Sequence, residues 1–150
     1  MIAPIKVSAR TDLPVLPEEA WNSVLGWEEQ IAWMKDAASV RVLTSHRRGV
    51  GVIVAVRTRV LGVPLLTDHL EVTVWEPPRR LVIAHRGLVG GVGEWLLEPT
   101  GPRTRFTWTE ELRLSLPVLG RLALLAYRPL MRRQMRRSLS NLRRMLHQRA

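Results

Sequence analysis

No cysteine occurs among the 150 residues. This excludes a thiolate nucleophile, disulfide cross-links and Cys-ligated zinc. Acidic residues are missing from one end of the chain. Residues 112–150 hold ten arginines and no Asp or Glu, whereas residues 1–111 hold thirteen Lys/Arg and thirteen Asp/Glu. The formal net charge of +10 therefore lies entirely in the C-terminal segment. A long uninterrupted apolar run is missing too. The most apolar stretch, Leu112 to Met131, is broken by Arg113, Pro117, Arg121, Arg128 and Pro129, too often to span a bilayer. Met1 to Val7 lacks the charged segment and apolar run of a secretory signal, so the expected compartment is the cytoplasm. The four histidines, at 46, 69, 85 and 147, show no helical metal-binding spacing, and neither a metal nor a cofactor is expected. There is no internal repeat and no low-complexity linker, which predicts one domain over residues 1–150.

What is present is periodicity. From Pro117 to His147 the apolar residues Leu124, Tyr127, Met131, Met135, Leu142 and Met145 recur at steps that keep one stripe of a helix. Ser138 and Leu146 fall on or beside it, and Arg132, Arg133, Arg136, Arg137, Arg143 and Arg144 project to the opposite side. Pro129 lies inside the pattern and predicts a kink or a break.

Upstream the period is two. Ile5, Val7 and Ala9 alternate with polar residues and predict a half-buried strand. Pro17-Glu18-Glu19-Ala20-Trp21 reads as a helix start, with proline first and acids in the first turn. Trp27 to Met34 predicts a second short helix with Trp27, Ile31 and Met34 inward. Six alternating runs follow. They start near Ser39, Val50, His69, Arg80, Gly93 and Arg103, and turn residues separate them at Arg47-Arg48-Gly49, Gly62-Val63-Pro64, Pro77-Pro78-Arg79 and Pro99 to Pro102. The stretch Gly87 to Gly93 joins two strands with no helix after it, so it lacks phosphate-cradling geometry and predicts a turn. Strands joined by short turns pair antiparallel, with one face buried. The C-terminal helix offers the apolar stripe that covers that face.

This order resembles the helix-grip fold of the START-like (SRPBCC) superfamily. Pro17-Glu18-Glu19-Ala20-Trp21, Pro77-Pro78-Arg79-Arg80-Leu81 and Thr104-Arg105-Phe106-Thr107-Trp108 look like its bacterial polyketide cyclase/dehydrase branch. The resemblance implies an α+β fold: a seven-stranded curved antiparallel sheet, two short helices after the first strand, and a long C-terminal helix across the concave face. It also implies an elongated apolar cavity between sheet and helix. Members bind or carry hydrophobic molecules, and a minority catalyse cyclisation or dehydration. No family-wide catalytic residues carry over.

On this reading Val54, Val56, Leu70, Val72, Trp95 and Trp108 line the sheet side, and Tyr127, Met131 and Met135 the helix side. His85 and Glu110 alternate with apolar residues and point inward. Their strands are separated by one other in the family's order, which places them roughly 10 Å apart at about 4.8 Å per strand. Both could touch one ligand, and a carboxyl in an apolar pocket, its pKa raised, suits acid–base chemistry. The structural alternative is that each is satisfied by Tyr127, by backbone or by water.

Three functions are therefore expected in competition. The leading one is binding or transport of a small hydrophobic ligand, a lipid or polyketide. The second is a polyketide cyclase or dehydratase with His85 and Glu110 as its acid–base pair. The third is an anionic-membrane module docking through the arginine face of the C-terminal helix. That face has no interleaved aromatics for base stacking, which disfavours nucleic acid.

Overall fold

The computed structural model describes residues 4–149; Met1 to Ala3, part of the segment read for a secretory signal, lie outside the described residues. The chain runs β1 (Ile5–Leu13), α1 (Pro17–Val24), a short 3-10 helix (Glu28–Ala32), β2 (Ala37–Val42), β3 (Ile53–Val60), β4 (Val63–Glu76), β5 (Arg80–Arg86), β6 (Val89–Thr100), β7 (Arg103–Leu114) and α2 (Pro117–Arg149). The seven strands form one antiparallel sheet in the order β1-β7-β6-β5-β4-β3-β2. Every neighbour except the β1–β7 pair is consecutive in sequence, so short turns set most of the register. α2 packs on β1 and β7 and lies across the buried face. This is the helix-grip architecture that the family resemblance implies, with the long stripe covering the sheet's buried face as the alternation predicts.

Burial along α2 follows the stripe. Leu124, Met135, Leu142 and Leu146 are buried, as are Ser138 and Leu139, whereas Arg133, Arg136, Arg137, Arg143 and Arg144 are exposed. Ser138 has a specific task. Its Oγ accepts the Lys35 N–H at 2.7 Å, and Asn141 Nδ2 donates to the Trp33 carbonyl at 3.3 Å. Two polar residues of α2 thus tie down the loop after the 3-10 helix and close one end of the interior.

Of the kink or break expected at Pro129, the break is absent. α2 is a single α-helix of 33 residues with Pro129 inside it. Pro129 is exposed, so solvent can hydrate the carbonyl that the missing N–H leaves without a partner. Removing the proline should therefore strengthen the helix. Pro129→Ala is expected to raise unfolding free energy by about 1–3 kcal/mol, measured as a higher midpoint in chemical denaturation.

Four other local readings change. Trp27 and Met34 face inward, but Ile31 is exposed and Gln30 is buried, because the turn is 3-10 and three residues per turn rotate a different set inward. Val50 lies in the loop before β3 and is exposed; Val52 is buried. The pairing of β4 with β5 slips between Val72 and Val74, so that Trp75 rather than Val74 lies opposite buried Leu81 and packs edge-on against Trp21 at 5.3 Å. That is the action of a β-bulge: one extra residue switches faces. Finally, the glycine-rich turn shrinks to Gly87 and Leu88, and Val89 to Gly93 belong to β6.

Candidate functional site

The sheet and α2 do not fill the space between them. A cavity of about 380 Å³ remains, within the range of small-molecule sites. Its wall is mainly apolar. Val56, Leu70, Trp95 and Trp108 line the sheet side, and Tyr127, Met131 and Met135 the helix side. Val54 and Val72 do not line it; they are buried in the main hydrophobic core. Trp33, Trp95 and Trp108 form an aromatic wedge at one end, with ring centroids 5.8, 6.5 and 6.2 Å apart.

His85 and Glu110 both face the cavity, and the expected 10 Å gap is absent. His85 Nε2 lies 2.8 Å from Glu110 Oε2, and Trp108 Nε1 donates to Glu110 Oε1 at 2.8 Å. The side chains are 11% and 6% exposed, so this pair is held almost out of water. The two strands are one strand apart, as the order β7-β6-β5 requires. What lets them meet is the strand between. Gly93 pairs with Glu110, and Gly91 with His85. With no side chain at either position, the Glu110 carboxylate lies over bare backbone. A Cβ on Gly93 would sit 2.8 Å from Glu110 Oε2 and 2.9 Å from Oε1. The glycine stretch is therefore a channel across β6 for the histidine–glutamate contact. Glycine inside a strand marks this kind of close approach.

Tyr127 does not join the pair; its hydroxyl donates to Gln134 Oε1 at 3.3 Å. His85 Nδ1, the other ring nitrogen, is buried with no hydrogen-bond partner. Burial disfavours the imidazolium, but the hydrogen bond and charge of Glu110, with Asp68 further off, outweigh it and raise the pKa above 6.5. A protonated ring donates from both nitrogens, so Nδ1–H is a donor without a partner, buried behind the cavity surface.

Two acidic residues on the wall escaped the sequence reading. Asp36 and Asp68 both line the cavity, and burial raises the pKa of each. Asp68 was legible: the run Leu66, Asp68, Leu70, Val72 alternates, and a strand start at His69 cuts it short. Asp36 sits in the connection before β2, where no period points to it. Gln30 also lines the cavity, with its Nε2 bonded to the Val24 carbonyl at 2.9 Å. Among the described residues no group of three or more His, Asp or Glu is arranged to hold a metal ion, and no helix is long and apolar enough to cross a membrane.

Comparison with known proteins follows the fold. The model of the family described as polyketide cyclase/dehydrase and lipid transport matches residues 4–147. No curated protein matches the sequence. Among solved structures, TTHA0849 from Thermus thermophilus superposes with a TM-score of 0.79 at 20% identity, covering 97% of this chain and 99% of that one. The Zhui aromatase/cyclase from Streptomyces sp. R1128 gives a TM-score of 0.79 at 16% identity, over 97% and 94% of the two chains. A START superfamily protein from Mycobacterium smegmatis gives 0.65 at 16% identity, over 96% and 95%. At these identities the structures share the fold, and the family match carries the assignment: the chain belongs to the polyketide cyclase/dehydrase and lipid-transport family.

Proposed function

We propose that this protein binds one small amphiphilic molecule of predominantly apolar character in the cavity between sheet and α2. The observation that carries the reading is an apolar cavity whose wall includes a single hydrogen-bonded His85–Glu110 pair. The apolar body of the ligand replaces water along Val56, Leu70, Met131 and Met135, gaining about 25 cal/mol for each Å² buried. Its polar group lies toward the polar part of the wall, where His85, Glu110, Asp36 and Asp68 line the cavity. Few polar groups fix orientation in pockets of this kind.

Filling the space is the test. Val56→Trp and Met131→Trp add bulk from opposite walls. Overpacking a full core costs about 1–3 kcal/mol, so variants that fill empty space should melt within a few degrees of wild type. Both should lose uptake of a fluorescent fatty acid that the wild type takes up. Unchanged uptake in both variants, or none by the wild type, contradicts the reading.

The enzyme reading stays second, and the dyad itself favours it. A carboxylate 2.8 Å from a histidine of raised pKa is a competent proton relay within reach of a bound substrate. A cyclase or dehydratase would lose turnover in Glu110→Gln while keeping its ligand affinity. A carrier would show a change in affinity alone.

A further inference from the structure

We infer that the sheet end formed by the β3–β4 turn, the β5–β6 turn and the β7–α2 junction is a docking surface for anionic lipid bilayers. The antiparallel meander places these three connections at the same end of the sheet. Large apolar residues stand out in water there: Leu61 is 77% exposed, Leu65 64%, Leu88 61%, Leu116 63% and Leu119 69%. Such a concentration on a monomer marks an interaction site. Each tip adjoins the cavity along the chain. Val60, Val89 and Leu114, which line it, precede or follow Leu61, Leu88 and Leu116 within two residues.

Leu61 adds an independent observation. It holds φ 52, the only non-glycine residue with positive φ among the described residues. A turn tip in water favours Asn or Gly at that φ, on both backbone and solvation grounds. A leucine kept there at a cost on both counts indicates that its side chain serves an apolar contact outside the fold.

Charge selects the occupant. Residues 57–67, 86–93 and 112–120, which build the three connections at this end, contain Arg57, Arg59, Arg86 and Arg113 and no acid; Asp36 and Asp68 nearby face the cavity. A second copy of the chain would bring like charges together. An anionic bilayer accommodates both features, with leucines at the acyl boundary and arginines at the phosphates. Each basic residue held at such a surface strengthens attachment about fivefold. The surface differs from the arginine face further along α2, and it sets where cargo would be exchanged, a matter separate from whether the cavity binds.

The test is flotation of the full chain with vesicles of phosphatidylcholine, with or without phosphatidylglycerol, over a salt series. Wild type should float with the anionic vesicles at low salt and progressively less at high salt. The triple variant Leu61→Asn, Leu88→Ser, Leu119→Ser should lose about tenfold or more in partitioning with a melting temperature no lower than that of the wild type. Leu119→Ser alone should move in the same direction and covers the case of a misfolded triple variant. Substituting Arg136, Arg137, Arg143 and Arg144 by Gln should retain most of the binding. No flotation of the wild type at low salt, undiminished flotation of the leucine variants, loss confined to the arginine variant, or a leucine-dependent dimer would each overturn the inference.

Discussion

Gly91→Ala should leave a protein that is largely unfolded at ordinary temperature. Gly91 holds φ 122, where a side chain is strained, and a Cβ there would lie 1.9 Å from the Glu111 carbonyl oxygen and 2.9 Å from its carbon. No rotamer relieves a clash with backbone. To admit the methyl, β6 must separate from β7, and that pairing runs from Val89–Leu114 to Thr100–Arg103 at the centre of the sheet. A loss of more than about 4 kcal/mol is expected, at the extreme of single substitutions. Gly93→Ala makes an instructive contrast. Its Cβ would meet a carboxylate rather than backbone, so the sheet can survive while Glu110 is pushed from His85. Circular dichroism melts of the two variants should separate these effects. Equal and small losses would show that the glycines do not serve close approach.

Glu110→Gln carries the second large effect. It keeps the shape and an acceptor for Trp108 Nε1, but removes the charge that faces His85. The expected cost is about 2–3 kcal/mol near neutrality, for a buried histidine that loses its charged partner. Its pH dependence tests the cause. In the wild type the raised histidine pKa means that the folded state holds more protons than the unfolded one. That stabilisation is complete below about 6.5 and is lost as pH rises through the raised value. In the variant, burial acts with little opposition and the folded pKa falls. Histidine then destabilises the fold below about 6.5 and ceases to do so as pH rises. The contribution of His85 to the slope of stability against pH, read as the difference between the two proteins, should therefore change sign. Resonances of the His85 ring, followed by NMR, should show the same reversal. A slope alike in both proteins would mean that Glu110 does not govern His85.

Much of this architecture was legible because alternation is a strong signal. Val7, Leu97, Phe106 and Trp108 are buried where period two puts them, and Leu142 and Leu146 where the helical stripe does. The strand readings that failed share one cause: composition does not report register. Gly87 to Gly93 looks like a turn because glycine serves turns and strand crossings alike, and only the Glu110–Gly93 pairing tells them apart. The bulge that turns Trp75 inward has no signature in the residues around Thr73. Side-chain reach also escapes a count of strand spacings. A backbone separation of about 10 Å across two strands shrinks to a hydrogen bond once the strand between carries no side chain. Asp68 was recoverable by extending one alternation by two residues; Asp36, held only by tertiary packing, was not.

The His85–Glu110 pair and the open apolar space matter together. An unfilled cavity lined by leucine, methionine and tryptophan gives up dispersion contacts, and a buried ionic pair is weak evidence for stability. Neither is what packing alone would select. A bound amphiphile accounts for both.

Native mass spectrometry of gently purified protein addresses that claim most directly. The account predicts one apolar molecule per chain, lost on organic extraction and regained by the extracted protein from lipid or polyketide probes. A bare chain mass throughout, with no uptake from either class of probe, would contradict it.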